Sequence, residues 1–440
     1  MDFVRDHIAL KLTAAALAFL ATFAAVRVVD GGRPSAGVDG GSRDLSDGLR
    51  PLATTAQRIE ALEAQVRQSP SDPQGYADLG GAYLTRFGET EDPALYPKAQ
   101  RAFETALNLD SNDVSAVAGI AQLELSRHQF RRGLALAERA MHISPSTVHI
   151  DALITDAQIE LGRYGAAAHT LQRYVDRRPE LGSYARISYF RELHGDTSGA
   201  VRAMELAAAA AGERAVDSVF ATTLLGKLHA DHGDYAIAER QFRRVLMLKP
   251  GYPDAMLGLA TVEFAKGHTE AALDLYRAVQ RSVAAPDHAI LLGEAEEAAG
   301  HRAAASQAYD AARAAFDAEE AQGANTATER AIFEAGHGDA QKAVELGRRA
   351  WRYSPSVRAA DAHSWALSAA GEHRAALRFS DRAMRLGSRD PTFLYHAGIV
   401  ALRAGQPERA HAFLARLVAL SPDFNPLYGP RAQRVLEGLR

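Results

Sequence analysis

Histidine is the residue type whose placement in this sequence could support chemistry. Of the 16 His in the 440 residues, His229 and His232 lie three positions apart. On a helix they would share a face, and two imidazoles could hold one metal ion. A third ligand at a suitable spacing is missing, whereas zinc sites use at least three protein ligands. We therefore predict no metal site at this pair.

Seven histidines, His232 among them, follow a pattern along the chain. Each lies within two residues of a predicted turn between helices: His128, His194, His232, His268, His301, His337 and His373. One interpretation is a ridge that binds metal or senses pH. The other is that each His caps carbonyls at the negative end of a helix. Adjacent turns would be about 8–10 Å or more apart, too far to share an ion, so we favour capping.

The usual signatures of catalysis are absent. With no Cys in the sequence there is no disulfide, thiol nucleophile or cysteine metal site. No Gly-rich phosphate loop follows a strand, and neither a Gly-x-Ser-x-Gly elbow nor a His-Glu-x-x-His pair occurs in a suitable setting. We expect no catalytic residue, cofactor or metal, and therefore no enzyme. The net charge of −4 also argues against nucleic acid as a partner.

The elements that must position any site are repeated along the chain. A Gly recurs every 33, 34 or 38 residues, at Gly162, Gly195, Gly233, Gly267, Gly300, Gly338, Gly371 and Gly405. An Ala follows each Gly by five residues, at Ala167, Ala200, Ala238, Ala272, Ala305, Ala343, Ala376 and Ala410. Pro often comes twelve residues further on, at Pro179, Pro250, Pro355 and Pro422. This self-similarity predicts a stacked array of units.

Each unit has two segments with apolar residues at helical spacing. In one unit these are Met256, Leu259 and Phe264 in the first segment, and Leu273, Tyr276 and Val279 in the second. Gly267 lies between them, where a left-handed turn is allowed at little cost. The Ala lets the helices approach closely, and Pro ends the pair. One such pair cannot bury its apolar face alone, so neighbouring pairs must stack.

These units resemble the tetratricopeptide repeat (TPR) family. One unit shows Leu225, Gly226, Tyr235, Ala238, Phe242 and Pro250, and the last shows Leu394, Gly398, Ala410, Leu417 and Pro422. The resemblance implies an all-α fold: a right-handed α-solenoid of about ten helical hairpins. We expect a lead-in helix and the solenoid over residues 52–422, and a capping helix within residues 423–440.

In TPR proteins the first helix of each pair lines a concave groove that binds partners. Carried over to this chain, the resemblance places ten groove contacts at Asp156, Glu160, Tyr189, Phe220, Lys227, Phe264, Glu294, Glu297, Trp365 and Tyr395. A mostly acidic groove with aromatic side chains would suit a neutral or basic peptide. The acids could equally form a solvated face. The basic clamp of chaperone-binding members is absent, because Ala77 and Gly81 occupy the corresponding sites.

The N-terminal segment suggests a membrane or export function. Residues 8–29 form a mostly apolar run that could span a bilayer if Lys11 and Arg27 reach the interfaces. A cleaved signal peptide, with Ala21, Ala24 and Ala25 near the cleavage point, and a soluble helix are the alternatives. We therefore assign residues 1–29 as an anchor or signal and residues 30–51 as a flexible Gly/Ser/Asp linker. The solenoid would then lie outside the cytoplasm, either membrane-tethered or secreted into the periplasm.

The function expected from these features is a non-enzymatic protein-interaction scaffold, tethered or exported. It would bind a peptide or protein segment in the concave groove. The alternative is an accessory factor of a cell-envelope machine, of the cytochrome maturation or polysaccharide export type. Residues 58–84 are similar to the start of TPR domains in cytochrome c maturation factors. A third possibility, a TPR arm on a catalytic domain, leaves too little chain for an active site.

Overall fold

The structure is a computed structural model that describes residues 54–212, 215–387 and 389–439. The sequence predictions for residues 1–29 and 30–51, including the hydrophobic helix, lie outside these ranges. The described ranges contain 22 α-helices and no β-strand. Ten hairpins contain only twenty helices, so the predicted count of about ten hairpins is too low. The two additional helices lie one at each end of the described chain.

The helices are numbered here in chain order. They are α1 Thr55–Gln68, α2 Pro73–Thr90, α3 Leu95–Leu109, α4 Val114–Ser126, α5 Phe130–Ile143, α6 Ile150–Glu160, α7 Tyr164–Arg177, α8 Leu181–Glu192, α9 Thr197–Ala211, α10 Ala215–Asp231, α11 Tyr235–Leu248, α12 Pro253–Ala265, α13 Thr269–Ser282, α14 Pro286–Ala298, α15 Arg302–Ala321, α16 Ala327–His337, α17 Ala340–Tyr353, α18 Val357–Ala369, α19 His373–Ala383, α20 Pro391–Arg403, α21 Pro407–Leu420 and α22 Tyr428–Gly438. Consecutive pairs from α2–α3 to α20–α21 form the first to tenth hairpins.

Helix ends follow from local sequence. Asp72, Asp113, Asp196 and Asp390 cap the starts of α2, α4, α9 and α20, each accepting a backbone N–H of the first turn. Pro is the first residue of five helices, where a missing N–H costs nothing. The local sequence thus defines where the helices start.

Glycine and aromatic residues interlock within and between hairpins. The ring of Phe103 on α3 packs against Gly80 on α2 and Gly119 on α4, where an added Cβ would come within 2.6 Å and 2.2 Å of it. Phe242 on α11 lies in the same way between Gly226 and Gly258. The eight Ala residues predicted to allow close helix approach are all buried. In these two hairpins the second helix therefore places an aromatic ring between two successive first helices.

The array coils far enough to meet itself. The hydroxyl of Ser354, after the eighth hairpin, donates to the backbone carbonyl of Glu160 in the third hairpin. The Tyr164 hydroxyl accepts the backbone N–H of Val357 at 2.9 Å. In each contact, the turn between the two helices of one hairpin touches a loop further along the chain. That loop is the one that follows the fifth hairpin after it. We call this line of contacts the seam.

The seam repeats at two further hairpins. Ser421, after the tenth hairpin, donates to the carbonyl of Ala230 in the fifth at 3.2 Å and bonds the hydroxyl of Tyr235 at 3.0 Å. The Asn325 backbone N–H, after the seventh hairpin, donates to the Arg127 carbonyl in the second at 2.8 Å. The superhelix is therefore closed along its edge rather than open.

At two turns glycine is required for two reasons: the backbone is left-handed, and atoms across the seam leave no room for a Cβ. Gly162 (φ +71°) and Gly233 (φ +77°) adopt the left-handed conformation predicted for these turns. A Cβ at Gly162 would lie 2.5 Å from the carbonyl oxygen of Pro355, and one at Gly233 would lie 2.5 Å from that of Leu420. Any side chain there would push the two turns of the superhelix apart.

None of the helices in the described ranges is both long and apolar enough to cross a bilayer.

We predict that Gly162→Ala with Gly233→Ala opens the seam. The matched control is Gly267→Ala with Gly300→Ala, because these glycines have φ +81° and +85° but no atom within 4 Å of an added Cβ. Both double variants should lose about 1–2 kcal/mol of stability per substituted residue, because Ala is disfavoured in the left-handed conformation. Only the seam pair should also increase the radius of gyration in small-angle scattering. Equal radii for the two double variants would contradict the seam.

Candidate functional site

Most of the ten predicted groove residues are buried. Seven of them have less than one tenth of their surface exposed: Asp156, Glu160, Tyr189, Phe220, Glu294, Trp365 and Tyr395. Phe264 and Glu297 are half-buried, and Lys227 is exposed. Closure of the superhelix turns the expected open groove into an interior with few accessible side chains.

In the first half of the array the predicted residues bind each other or their neighbours. Asp156 forms a two-pronged ion pair with Arg186 on α8, at 2.8 Å to Nε and 2.6 Å to the terminal nitrogen. Burial raises the pKa of Asp156, although Arg186 opposes this shift. Tyr189 donates to Glu160 at 3.1 Å. These contacts join the third hairpin to the fourth, which is a structural role.

In the second half, the C-terminal segment covers the predicted contacts. Asn425 donates to Glu294 at 2.7 Å, and Arg431 donates to Glu297 at 2.7 Å. The Tyr428 ring lies 4.9 Å from that of Tyr395. The chain's own α22 and the loop before it therefore occupy this part of the inner surface. The contact of Arg431 with Glu297 pairs a cationic side chain with an acid.

The predicted partner contact Trp365 lies inside an aromatic stack. Its ring is stacked on that of His396, with centroids 4.3 Å apart and planes 14° from parallel. His396 bonds through Nδ1 to Asp361 at 2.7 Å, and both residues are buried. Arg403 lies over the Trp365 ring at 5.3 Å. Phe264 packs into the apolar cluster of α12–α14.

Lys227 and Phe220 instead face a cavity of about 340 Å³ in the interior. Helices α10, α12, α14, α18 and α20 contribute to its walls. Its charged lining consists of five acids and two cations: Asp231, Asp254, Asp287, Asp361 and Asp390, with Lys227 and Arg358. Phe220, Phe393 and Leu257 supply apolar walls. We call this space the acidic cavity.

The surroundings of the acidic cavity shift the pKa values of its lining groups. Burial raises the pKa of Asp231 to about 6, although Lys227 opposes the shift. Burial, with the charges of Asp231 and Asp361, raises the pKa of Asp390 to about 7. Loss of hydration within the cavity lowers the pKa of Lys227, but the surrounding acids outweigh this effect and the pKa is raised overall. The cavity therefore favours the charged form of a base and would favour a second cation.

Several residues of this interior were not found from the sequence. Arg358, Asp390 and Phe393 come from connections or helix starts, whereas the TPR resemblance points only to positions along first helices. Glu91 and His288 were also missed. Burial and Asp287 raise the pKa of Glu91 to about 8. No spacing in the sequence relates residues 91 and 288, because the superhelix alone brings them together.

Histidines near the turns mostly pair with acids rather than with each other. His268 and His301 each contact the carboxylate five residues before them, Glu263 and Glu296, at 2.7 Å. His194 bonds the backbone carbonyl of Phe190 at 3.1 Å, which is the capping contact expected from the sequence. No shared ion is needed to explain these positions.

The class that the fold defines is an all-helical repeat solenoid. Residues 223–289, in the fifth to seventh hairpins, match the family model described as tetratricopeptide repeat. This match supports the TPR resemblance drawn from the Gly and Ala spacing.

One curated relative is cellulose synthase 1 operon protein C of Komagataeibacter xylinus. It is 26% identical over 255 residues, which cover 58% of this chain and 16% of that protein. The chain thus spans about one sixth of the length of the curated relative that it matches.

Solved structures with similar folds include the human IFIT1 dimer with PPP-AAAA (16% identity, TM-score 0.47, covering 74% of this chain and 77% of that one). Yeast Tom70 matches at 12% identity and a TM-score of 0.36, covering 88% of this chain and 92% of that one. Both TM-scores lie below 0.5.

We predict that Asp156 stabilises the array rather than binding a partner. Asp156→Ala leaves the buried Arg186 without its carboxylate, which should cost about 3–5 kcal/mol. Hydrogen exchange should therefore accelerate in α6 and α8. Replacing both residues, Asp156→Leu with Arg186→Met, should restore much of the protection, because no charge is left buried. Unchanged exchange in the single variant would contradict this role.

Proposed function

We propose that this chain is a non-enzymatic protein-interaction scaffold that binds a positively charged segment of a partner protein. The observation that carries the proposal is the acidic cavity, with five aspartates against two cations. Its volume of about 340 Å³ lies near the lower end of ligand-binding pockets, about 300–1,000 Å³. A space of that size suits one or two side chains rather than a folded domain.

The walls match the chemistry of a basic side chain. Phe220 and Phe393 can cover the aliphatic stem of Lys or Arg, while the carboxylates of Asp231 and Asp390 receive its charge. The contact of Arg431 with Glu297 shows the same pairing within this chain. Lys227 and Asp287 are exposed, so solvent reaches the lining. Binding would rest on charge complementarity.

Membrane tethering or export through residues 1–29 remains part of the proposal. It is supported by the apolar run at residues 8–29. Fractionation of the full chain against one lacking residues 1–29 tests it, and recovery of the intact chain in the cytosol would contradict it.

A second candidate is an accessory role in a cell-envelope machine of the polysaccharide export type. The match to cellulose synthase 1 operon protein C favours this candidate. A deletion strain that exports as much polysaccharide as its parent would contradict it.

We predict that charge changes in the acidic cavity alter the affinity for a basic peptide in both directions. A labelled arginine-glycine peptide is titrated by fluorescence anisotropy. Asp231→Asn with Asp390→Asn should weaken binding by about 1 kcal/mol per charge, or about fivefold in Kd for each. Asn also caps helices, so α20 keeps its start. Lys227→Gln should strengthen binding by a similar factor.

The matched control removes two acids elsewhere. Asp274→Asn with Asp310→Asn makes the same change in net charge, but these side chains are 77% and 71% exposed on α13 and α15. Its affinity for the peptide should stay within about twofold of wild type, since surface charges are screened. Equal weakening by the two double variants would indicate a general charge effect and contradict the cavity.

We also predict that peptide binding depends on pH. Carboxylates whose pKa is raised are charged only above that pKa, so the cavity gains negative charge as pH rises past about 6 for Asp231 and about 7 for Asp390. Affinity for the arginine-glycine peptide should therefore be higher at pH 8 than at pH 5.5. The double variant Asp231→Asn with Asp390→Asn should lose most of this dependence. A wild-type affinity that falls with rising pH would contradict the assignment.

A further inference from the structure

A second cluster lies beside the acidic cavity, where the first hairpin meets the seventh. One ligand atom each from Glu91, Asp287 and His288 lies within 4.8 Å of the others. Glu91 follows α2 and has a left-handed backbone, φ 52° and ψ 26°. Asp287 and His288 come from the first turn of α14, which begins at Pro286. Two turns of the superhelix thus supply the three side chains.

The imidazole of His288 is buried and directed into the cluster. Its residue is 1% exposed. Its Nε2 faces a carboxylate oxygen of Glu91 at 3.9 Å, which is too long for a hydrogen bond. Its Nδ1 makes no hydrogen bond of ordinary length. Because Nε2 is the ring nitrogen that faces Glu91 and has no hydrogen bond there, it is the atom that a ligand in the cluster would bind.

Negative charge predominates around this imidazole, although Lys227 acts on one of the carboxylates, Asp254. Asp254 acts electrostatically on both His288 and Glu91, and Glu319 interacts with Glu91 and Asp287, so four carboxylates belong to this region. Across the described ranges, no Lys or Arg lies within ion-pair distance of any of the four, by contrast with the paired Asp156. Asp254 and Asp287 also line the acidic cavity, which offers an entry path for a small cation.

We propose that Glu91, Asp287 and His288 bind a divalent transition-metal ion that joins the first hairpin to the seventh. Carboxylate oxygens and imidazole nitrogens are both ligands of Zn²⁺, and three protein ligands leave a fourth position for water. Tetrahedral Zn²⁺ needs donor atoms about 3.4 Å apart, and the 3.9 Å between His288 and Glu91 needs only a small side-chain adjustment. Mg²⁺ and Ca²⁺ prefer oxygen ligands alone and suit the site less well.

The test measures Zn²⁺ binding to the full chain by calorimetry. The protein carries no affinity tag and is first dialysed against a chelator. The wild-type chain should have one Zn²⁺ site with a higher affinity than its other Zn²⁺ sites. Asp287→Asn and Glu91→Gln should each weaken that site by at least about tenfold, since even the partners that orient metal ligands contribute that much. Asp274→Asn, an exposed acid on α13, is the matched control and should bind Zn²⁺ like wild type.

A second measurement separates a bridging ion from a surface ion. Zn²⁺ should slow hydrogen exchange both around Glu91 and at the start of α14 in wild type, and in neither place in Asp287→Asn. Asp287 is exposed, so its amide variant should fold normally, with a metal-free circular dichroism spectrum like that of wild type. Wild-type Zn²⁺ affinity in both variants, protection on one side alone, or Mg²⁺ binding as tightly as Zn²⁺ would overturn the proposal.

Discussion

The seam between successive turns of the superhelix is the contact on which the rest of this structure depends. Hairpins that touch only their neighbours would leave an open groove, because each repeat in a solenoid buries its apolar face on the next. Here the serine hydroxyls of Ser354 and Ser421 also donate to carbonyls five hairpins earlier. The seam converts an open groove into an interior, and both the acidic cavity and the Glu91 cluster exist because of it.

Closure changes the electrostatics of the inner surface. Acids in an open groove would be hydrated and would titrate near their ordinary values. Inside the closed superhelix burial raises the pKa of both Asp156 and Asp390, and at Asp156 the adjacent Arg186 opposes this shift. The same carboxylate type thus stabilises the array at one position and creates an affinity for cations at another. Whether a buried carboxylate stabilises the array or attracts an added cation depends on how close a cationic side chain of this chain lies to it.

Much of the fold could be predicted from the sequence because its determinants are local. Recurring Gly and Ala give helix pairs, and Asp or Pro gives their starts. The seam was not predictable, since the superhelical pitch sums small rotations over many repeats. In retrospect it has a pattern: Gly162 and Tyr164 contact Pro355 and Val357, and Gly233 and Tyr235 contact Leu420 and Ser421. Groove positions copied from an open solenoid therefore placed Trp365 on a surface, whereas it is buried against His396.

A closed interior also limits how a partner can bind. A basic segment must enter through an end of the superhelix or wait for the seam to open. Opening the seam breaks its hydrogen bonds and also divides the apolar cluster that contains Tyr164, Val357 and Phe393, so the open form has a free-energy cost. A ligand that binds only the open form would shift that equilibrium toward it, and one that bridges the turns would shift it back. The affinity of the acidic cavity for a partner segment therefore depends on the equilibrium between the open and closed seam.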